Sequence, residues 1–290
     1  MPDEAFTTDA PPAPAEALER GILGVATTCP FALSPDDLAY LRTMEPAAPG
    51  NDDISYEPVG ETLAGVPDDS EGRLADILAR FSAAATGWLK VAYPGYAAAS
   101  LDRVTLRTRE EATRRLPLTA RTDLLHIDRA LAWPTQGRRV LRLAVNIDPA
   151  DPRVWATAEP FPVLLARFAA VHPVPVRRPD EWLASPQGLI RLFTGDRGRR
   201  TAYDAFMLRL DHYLKQDNDF QTRAARRLWQ FPPGAFWLLF SDGLSHAQLR
   251  GRFALELAFF VPPAALAAPD AAPLAILQAF SDTRGLRRAG

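Results

Sequence analysis

A histidine and an aspartate stand two positions apart in the segment LLHID, at His126 and Asp128. The segment is apolar and strand-like, and side chains two positions apart in a strand point to the same face. The pair therefore projects into one interior if Ile127 faces the opposite layer. A neutral imidazole and a carboxylate on one face form two-thirds of the triad of two histidines and one carboxylate that holds non-haem iron(II).

A third ligand must come from elsewhere in a chain with four histidines. His246 lies between two apolar segments in FSDGLSHAQLRG, where we expect a turn that brings its side chain to the mouth of a barrel. We predict His246 as the third ligand, and we expect His172 and His212 to be structural or solvent-facing. A core histidine hydrogen-bonded to Asp128 is the alternative interpretation of His126, because a short H-x-D motif is not specific.

Sites of this type usually bind 2-oxoglutarate, with a basic side chain on its distal carboxylate. In GRRVLRLAVNI, the residues Leu141, Leu143 and Val145 look like a face packed on outer helices. The opposite face then carries Arg142 and Asn146 toward the interior. These two side chains are the candidates for binding 2-oxoglutarate.

We predict that Arg142 binds the carboxylate of the co-substrate, because an interior arginine without an anion would be an unpaired buried charge. Arg139 and Arg252 are the alternatives if the face assignment is shifted by one residue. A salt bridge from Arg142 to Glu256 on a neighbouring strand is the purely structural explanation, and the sequence leaves it open.

The elements that must position these residues change type near residue 100, where the apolar pattern takes a period of two. The candidate strands are DRVTLRTR, LLHID, RVLRLAVNI, FWLLFSD and RFALELAFFV. Helices are predicted in LSPDDLAYLRTM, RLADILARFSAAATGWLK, EPFPVLLARFAA and TAYDAFMLRLDHYLKQDND. Strands that flank a helical insertion argue against a doubly wound parallel sheet. We predict an α+β fold with a double-stranded β-helix, a jelly-roll or cupin-like barrel, and appended helices.

The chain has 290 residues, 47% of them hydrophobic, which suffices for a sizeable core. We expect a disordered acidic N-terminus over residues 1–30, a single domain over 31–270 and a C-terminal tail over 271–290. No apolar run is long enough to span a membrane and the N-terminus lacks the plan of a secretory signal, so we expect a cytoplasmic protein. The one cysteine, Cys29, rules out an intramolecular disulfide and is expected to be inert.

Charge is distributed unevenly. Residues 1–75 hold 15 acidic and 3 basic residues, whereas residues 76–290 hold 20 acidic and 30 basic ones, a net charge of +10. All bases except Lys90 and Lys215 are arginine, whose guanidinium binds carboxylates and phosphates through two parallel hydrogen bonds. Because no basic stripe is interleaved with aromatics, nucleic acid is a weaker candidate than an anionic small molecule or glycolipid.

Several segments together resemble the Kdo hydroxylase family, over roughly residues 50–262. They are NDDISYEPVGETLAG, LLHIDRALAWPTQGRRVLRLAVNIDP, PRVWATAEPF, YDAFMLRLDHYLKQDNDFQ and FPPGAFWLLFSDGLSHAQLRGRFALELAF. Members are iron(II)- and 2-oxoglutarate-dependent dioxygenases of Gram-negative bacteria that hydroxylate C3 of the Kdo sugar of lipopolysaccharide to give Ko. The resemblance implies Fe(II), 2-oxoglutarate as co-substrate, and the ligands His126, Asp128 and His246.

The resemblance also implies a Kdo–lipid A glycolipid as substrate. From the charge of +10 in residues 76–290 and the lack of an anchoring segment, we expect transient electrostatic contact with the inner membrane. The candidate ligands for the Kdo carboxylate or the lipid A phosphates are Arg103, Arg107, Arg121 and Arg138. Two alternatives remain: a dioxygenase acting on another anionic sugar or small molecule, and a non-catalytic sugar-acid binding barrel. The sequence decides neither the oligomeric state nor which Kdo unit is hydroxylated.

Overall fold

The computed structural model of the protein contains two antiparallel sheets and eight α-helices among the residues that it describes. Those residues are 13–31, 33–46, 53–66, 71–128, 134–183 and 200–289. The strands are β1 (Gly24–Ala26), β2 (Asp53–Glu57), β3 (Thr62–Ala64), β4 (Ser100–Arg107), β5 (Arg139–Asn146), β6 (Arg153–Pro160), β7 (Arg227–Phe231), β8 (Phe236–Phe240), β9 (Leu244–Arg250) and β10 (Ala254–Val261). The helices are α1 (Ala15–Glu19), α2 (Pro35–Leu41), α3 (Glu71–Ala92), α4 (Phe161–Val171), α5 (Pro179–Leu183), α6 (Ala202–Gln216), α7 (Asn218–Arg223) and α8 (Pro273–Ala289).

The larger sheet has seven strands in the order β1-β8-β5-β10-β4-β2-β3, and the smaller has three in the order β7-β6-β9. Side chains of both sheets meet in one buried cluster, in which Ala144 and Trp237 of the larger sheet pack with Trp155 and Leu244 of the smaller. The two sheets therefore face each other as the layers of a jelly roll. The predicted α+β jelly-roll fold is confirmed.

The outer face of the larger sheet packs on α3. Leu74 and Phe81 of the helix share one core cluster with Leu141, Leu143 and Val145 of β5. This confirms the predicted face of β5, because alternate residues of a strand point to opposite sides. Arg142 and Asn146 consequently lie on the side that faces the smaller sheet.

A second core lies between the smaller sheet and the helices α4, α6 and α8. Leu125 and Ile127 belong to it and are fully buried. Their partners from the three helices include Phe161, Leu164, Phe206, Leu210, Leu274 and Leu277. Because Leu125 and Ile127 point toward these helices, His126 and Asp128 must point the other way, between the sheets.

Two of the predicted helices begin at side-chain caps. The Ser34 hydroxyl accepts a hydrogen bond from the Asp37 amide at 3.1 Å before α2. Before α6, Thr201 and Asp204 satisfy each other's backbone amides in a capping box. A capped start holds α6 in place against the second core, and α6 carries its apolar residues Phe206 and Leu210 to that core.

Described residues of both terminal segments, which were expected to lie outside the domain, pack on its core. From residue 13 onward the N-terminal segment is ordered, since Leu18 of α1 is fully buried and β1 pairs with β8. Residues 1–12 lie outside the described residues. The expected C-terminal tail contains α8, whose Leu277 is fully buried in the second core. Burial of a few apolar residues stabilises these two segments on the core, although the composition around them is polar and rich in proline.

Candidate metal centre

His126, Asp128 and His246 converge between the two sheets. One potential ligand atom from each lies within 4.8 Å of the others, and all three residues are buried. His126 Nε2 is 4.0 Å from Asp128 Oδ1, and the two imidazole centroids are 4.5 Å apart. The three side chains that the sequence singles out are therefore brought together.

Backbone pairing explains this convergence. The His126 amide donates to the His246 carbonyl at 3.0 Å, and the His246 amide donates to the His126 carbonyl at 2.9 Å. Two residues that exchange both bonds lie directly opposite each other, with side chains on the same face. The Asp128 amide donates to the Ser241 carbonyl at 2.8 Å and fixes the next residue on that face. The expected location of His246 in a turn is wrong, because it lies inside β9 and the turn precedes it, at residues 241–243.

Each imidazole is oriented by a backbone carbonyl two residues earlier. Nδ1 of His126 is 2.8 Å from the Leu124 oxygen, and Nδ1 of His246 is 3.0 Å from the Leu244 oxygen. We assign the proton to Nδ1 in both rings on these contacts, which leaves a lone pair on each Nε2. Burial lowers the pKa of both imidazoles and keeps them neutral.

His246 Nε2 is a buried acceptor with no hydrogen-bond partner in the described part of the chain. Such an atom is costly to bury unless something satisfies it. Two imidazole lone pairs beside a carboxylate suit a divalent transition metal, and this donor set is the facial triad of non-haem iron sites. His126, Asp128 and His246 therefore fit the iron(II) ion that the sequence predicts.

Arg142 holds the carboxylate of Asp128 from behind. Asp128 Oδ2 accepts from Arg142 Nε at 2.8 Å and from Nη2 at 2.5 Å. Burial acts to raise the pKa of the Asp128 carboxyl, but the positive charge of Arg142 outweighs it and holds that pKa well below its usual range. Asp128 is thus ionised, with Oδ1 on the side of His126.

The salt bridge from Arg142 to Glu256 that the sequence left open is present, so Arg142 is not an unpaired buried charge, and Glu256 joins it to a larger network of ion pairs. Its Oε2 accepts from Arg142 Nη1 at 2.8 Å and from Arg107 Nη2 at 3.2 Å. Arg153 Nη2 donates to Glu111 and to Gln248, each at 2.8 Å. The network connects the arginines Arg107, Arg114, Arg142 and Arg153 with the acids Asp53, Glu111, Asp128 and Glu256. Four guanidinium and four carboxylate charges thus cancel one another.

The other candidates for 2-oxoglutarate have different partners. Both amide hydrogens of Asn146 are used by backbone carbonyls, those of Asp151 and Phe231 at 2.9 Å each. Arg139 forms a separate buried ion pair with Asp242 at 3.0 Å. Arg252 is exposed and donates to the Thr108 carbonyl. The structure gives Asn146 a role in holding a loop, and it does not bring Arg139 or Arg252 into contact with the triad.

Of the arginines predicted to bind substrate, Arg103 has the most suitable position. It lies opposite Ala258, and Ala258 lies opposite Arg142, so the two arginines share a face two strands apart, about 10 Å. The Nε of Arg103 donates to Asp102 at 3.1 Å, and the side chain is 19% exposed to solvent.

The remaining three differ in exposure and partners. Arg138 donates to the carbonyls of Thr135 and Pro134 and lies over the Phe260 ring. Arg107 is buried within the ion-pair network. Arg121 is paired with Asp123 near the surface, where its side chain is 40% exposed.

Trp155 and Arg153 belong to the site, and sequence reasoning did not single them out. The fully buried Trp155 ring stacks on His246, with centroids 5.6 Å apart and planes 16° from parallel. The period of two in Arg153, Trp155 and Thr157 is the signal that could have identified β6. It was missed because the helix-like segment EPFPVLLARFAA follows directly.

Comparison with known proteins agrees with this geometry. The family model for 3-deoxy-D-manno-oct-2-ulosonic acid (Kdo) hydroxylase matches residues 4–284. The chain belongs to the Kdo hydroxylase family. This confirms the predicted family, and a match of this extent covers every residue of the candidate metal centre.

Solved structures of one Kdo hydroxylase, KdoO, are similar to this chain at 30% identity. KdoO is a non-heme Fe(II) alphaketoglutarate-dependent dioxygenase. Its complex with alphaketoglutarate and Fe(III) superposes with a TM-score of 0.78 and covers 92% of this chain and 88% of that one. Its apo structure gives 0.80 with the same coverage, and its cobalt(II) complex gives 0.79 over 92% and 89%. No curated protein matches the chain.

Proposed function

We propose that this protein is an Fe(II)- and 2-oxoglutarate-dependent dioxygenase that hydroxylates C3 of the Kdo sugar in Kdo–lipid A to give Ko. The observation that carries the proposal is the convergence of three buried residues, His126, Asp128 and His246, with no hydrogen-bond partner for His246 Nε2 among the described residues. Membership of the Kdo hydroxylase family and the similarity to KdoO support it.

The three side chains would hold iron through Nε2 of each histidine and Oδ1 of Asp128. When bound, iron and 2-oxoglutarate supply, with dioxygen, the oxidising chemistry that inserts one oxygen atom into a C–H bond and releases succinate and carbon dioxide. The protein orients the donors beforehand. The carbonyls of Leu124 and Leu244 fix the imidazoles, and Arg142 occupies Oδ2 of Asp128.

Charge balance supports a site for 2-oxoglutarate beside the network around Glu256. The four arginines and four carboxylates neutralise each other, so a divalent metal leaves two positive charges in a buried space. A dicarboxylate such as 2-oxoglutarate brings two negative charges. The contacts of Arg142 to Asp128 and Glu256 use three of the five N–H groups of a guanidinium. Arg142 therefore remains our candidate for the distal carboxylate.

Arg103 is our candidate for the carboxylate of the Kdo sugar. It shares the interior face with Arg142, about two strand spacings away, and it is partly exposed whereas Arg142 is buried. The Arg103 guanidinium pairs with Asp102 and lies 3.7 Å from Glu57, and its partial exposure suits the anionic group of an incoming sugar. The lipid anchor of such a substrate would also bring the protein into transient contact with the inner membrane.

The deciding experiment incubates Kdo–lipid A with the protein, iron(II), 2-oxoglutarate and air, and follows succinate release and glycolipid mass. We expect a gain of one oxygen on Kdo and matched succinate. His246→Ala removes a metal ligand and should lower both by at least about 100-fold, since even losing a residue behind a ligand costs 10- to 100-fold. His172→Ala, at an exposed position, is the matched control and should retain activity.

Other outcomes point to the alternatives. Succinate formed only with another anionic sugar would favour a dioxygenase of the same class with a different substrate. No succinate under any condition, together with sugar-acid binding that His126→Ala leaves unchanged, would favour a non-catalytic barrel.

A further inference from the structure

The segment that carries two of the metal ligands, residues 124–128, was predicted to be a strand but forms only one isolated bridge, and its extended backbone has two edges. One edge pairs with β9 through His126 and His246. Alternate residues of a strand direct their amide and carbonyl groups to opposite edges. Leu125 therefore directs its backbone groups away from β9, toward the helices.

One side chain satisfies the backbone of Leu125 on this second edge. Gln221 of α7 accepts the Leu125 amide hydrogen on Oε1 at 2.9 Å and donates from Nε2 to the Leu125 carbonyl at 2.8 Å. The same Nε2 donates to the Leu214 carbonyl at the end of α6, also at 2.8 Å. The amide thus offers one donor and one acceptor to one residue, as a neighbouring strand would.

Gln221 is itself held firmly. The Asp217 carboxylate caps α7 by accepting the Phe220 amide at 3.1 Å, and the Phe220 ring is fully buried in the second core. Leu125 is also fully buried, so its backbone groups would otherwise be unsatisfied in an apolar region. Asp217, Phe220 and Gln221 all lie in the segment DNDFQ, which contributes no side chain to the triad.

We propose that Gln221 is a positioning residue for the metal centre: its side-chain amide fixes the backbone of Leu125 and thereby the direction of the adjacent His126 imidazole toward His246. This inference rests on the proposed function, since it requires that the triad binds a metal. On this proposal, α7 connects the helices of the second core to the metal ligands through the hydrogen bonds of Gln221 to Leu125.

Two substitutions test this role. Gln221→Glu keeps the length and the acceptor but removes both donated bonds and places a negative charge against the Leu125 and Leu214 carbonyls. Gln221→Met keeps the length and removes all three bonds. The matched controls are Gln216→Glu and Gln216→Met, at the exposed last residue of α6.

The probe is cobalt(II) alone, titrated into each metal-free protein and followed by calorimetry and by the visible absorption of the bound ion. We expect a dissociation constant raised about 10- to 100-fold in both Gln221 variants, as for other residues that orient metal ligands. We also expect a changed absorption spectrum at saturating cobalt, which loss of stability alone does not produce. The Gln216 variants should match the wild type in both readouts.

Spectra and affinities like those of the wild type in both folded Gln221 variants would overturn the inference. If a variant does not fold, hydrogen exchange of the wild type decides instead. Cobalt should then protect the amides of residues 218–223 as well as those of 124–128, and protection confined to 124–128 would contradict the link. Failure of the wild type to bind cobalt would overturn the proposed metal centre itself.

Discussion

Glu256 shows, at the scale of single residues, how the interior of the site is kept neutral. It is fully buried among Arg107, Arg142 and Arg153. Burial acts to raise the pKa of its carboxyl, but the three guanidinium charges outweigh this and lower the pKa to about 2. The carboxylate is therefore charged at every pH at which the protein would work.

Glu256→Gln should destabilise the metal-free protein by about 3–5 kcal/mol near neutral pH, because it leaves buried arginines without a counter-charge. A carboxyl with a lowered pKa stabilises the fold above its ordinary value of 4.5, and this stabilisation is lost as the pH falls toward 2. The deficit should thus shrink between those values. Urea unfolding over that pH range measures it, with Glu16→Gln at an exposed pair as control. A deficit independent of pH would contradict the assignment.

His126 and Asp128 could be predicted as a pair because side chains two positions apart in an extended segment share a face, whereas His246 was selected from the four histidines with the wrong local structure. The interior face of Arg142 follows from the same rule. Gln221 could not be found in this way, since its contact is between a side chain and the backbone of a segment distant in the chain. No local pattern encodes such a contact.

At the scale of elements, the turn between β9 and β10 depends on a glycine. Gly251 has φ +115°, and a Cβ atom there would lie 2.8 Å from Arg153 Cγ and 2.9 Å from its Cα. Gly234, before β8, has φ +81°, and apart from its chain neighbours no atom of the described residues lies within 4 Å of such a Cβ. The two positions separate backbone strain from steric overlap.

Gly251→Ala should therefore cost more stability than Gly234→Ala. The control should lose about 1–2 kcal/mol from the left-handed backbone alone. Overlap with Arg153 should add at least about 1 kcal/mol, within the range of overpacking. Denaturant unfolding of both variants measures the difference in the free energy of unfolding. Equal losses would contradict the prediction, because they would show that the backbone near Arg153 can shift to accommodate the Cβ atom without loss of stability.

Helices with capping residues and a regular apolar spacing could be predicted from the sequence. A strand whose structure depends on pairing with distant segments could not. The helices α2, α3, α4 and α6 were expected from apolar spacing and capping residues. The strand β9 was not, because Ser and Gly near His246 suggested a turn that lies just upstream. Pairing of β9 with β6 and with residue 126 overrides that local preference.

On the scale of the whole molecule, the excess of arginine after residue 75 is the feature that would attract the protein to a membrane with anionic lipids. The net charge of residues 76–290 is +10, whereas residues 1–75 carry −12 and the whole chain −2. Among the described residues no helix is both long and apolar enough to cross a bilayer. Electrostatic attraction to anionic lipids is the contact with a membrane that the basic residues predict.

We expect the protein to float with vesicles that contain phosphatidylglycerol at about 0.01 M salt, where charges act over about 30 Å, and to be released at about 1 M, where they act over about 3 Å. Vesicles of phosphatidylcholine alone are the control and should not bind it. Binding that is equal for both lipids, or insensitive to salt, would contradict an electrostatic attachment.

The bridge between residues 126 and 246 makes the same two histidines both structural partners and chemical donors. A slip of one residue along this ladder would turn the imidazoles toward the helices and bring leucine and isoleucine side chains between the sheets. Ferrous affinity would consequently report whether residue 126 is paired with residue 246: a chain paired one residue out of register would direct both imidazoles away from the space between the sheets and would lack the triad.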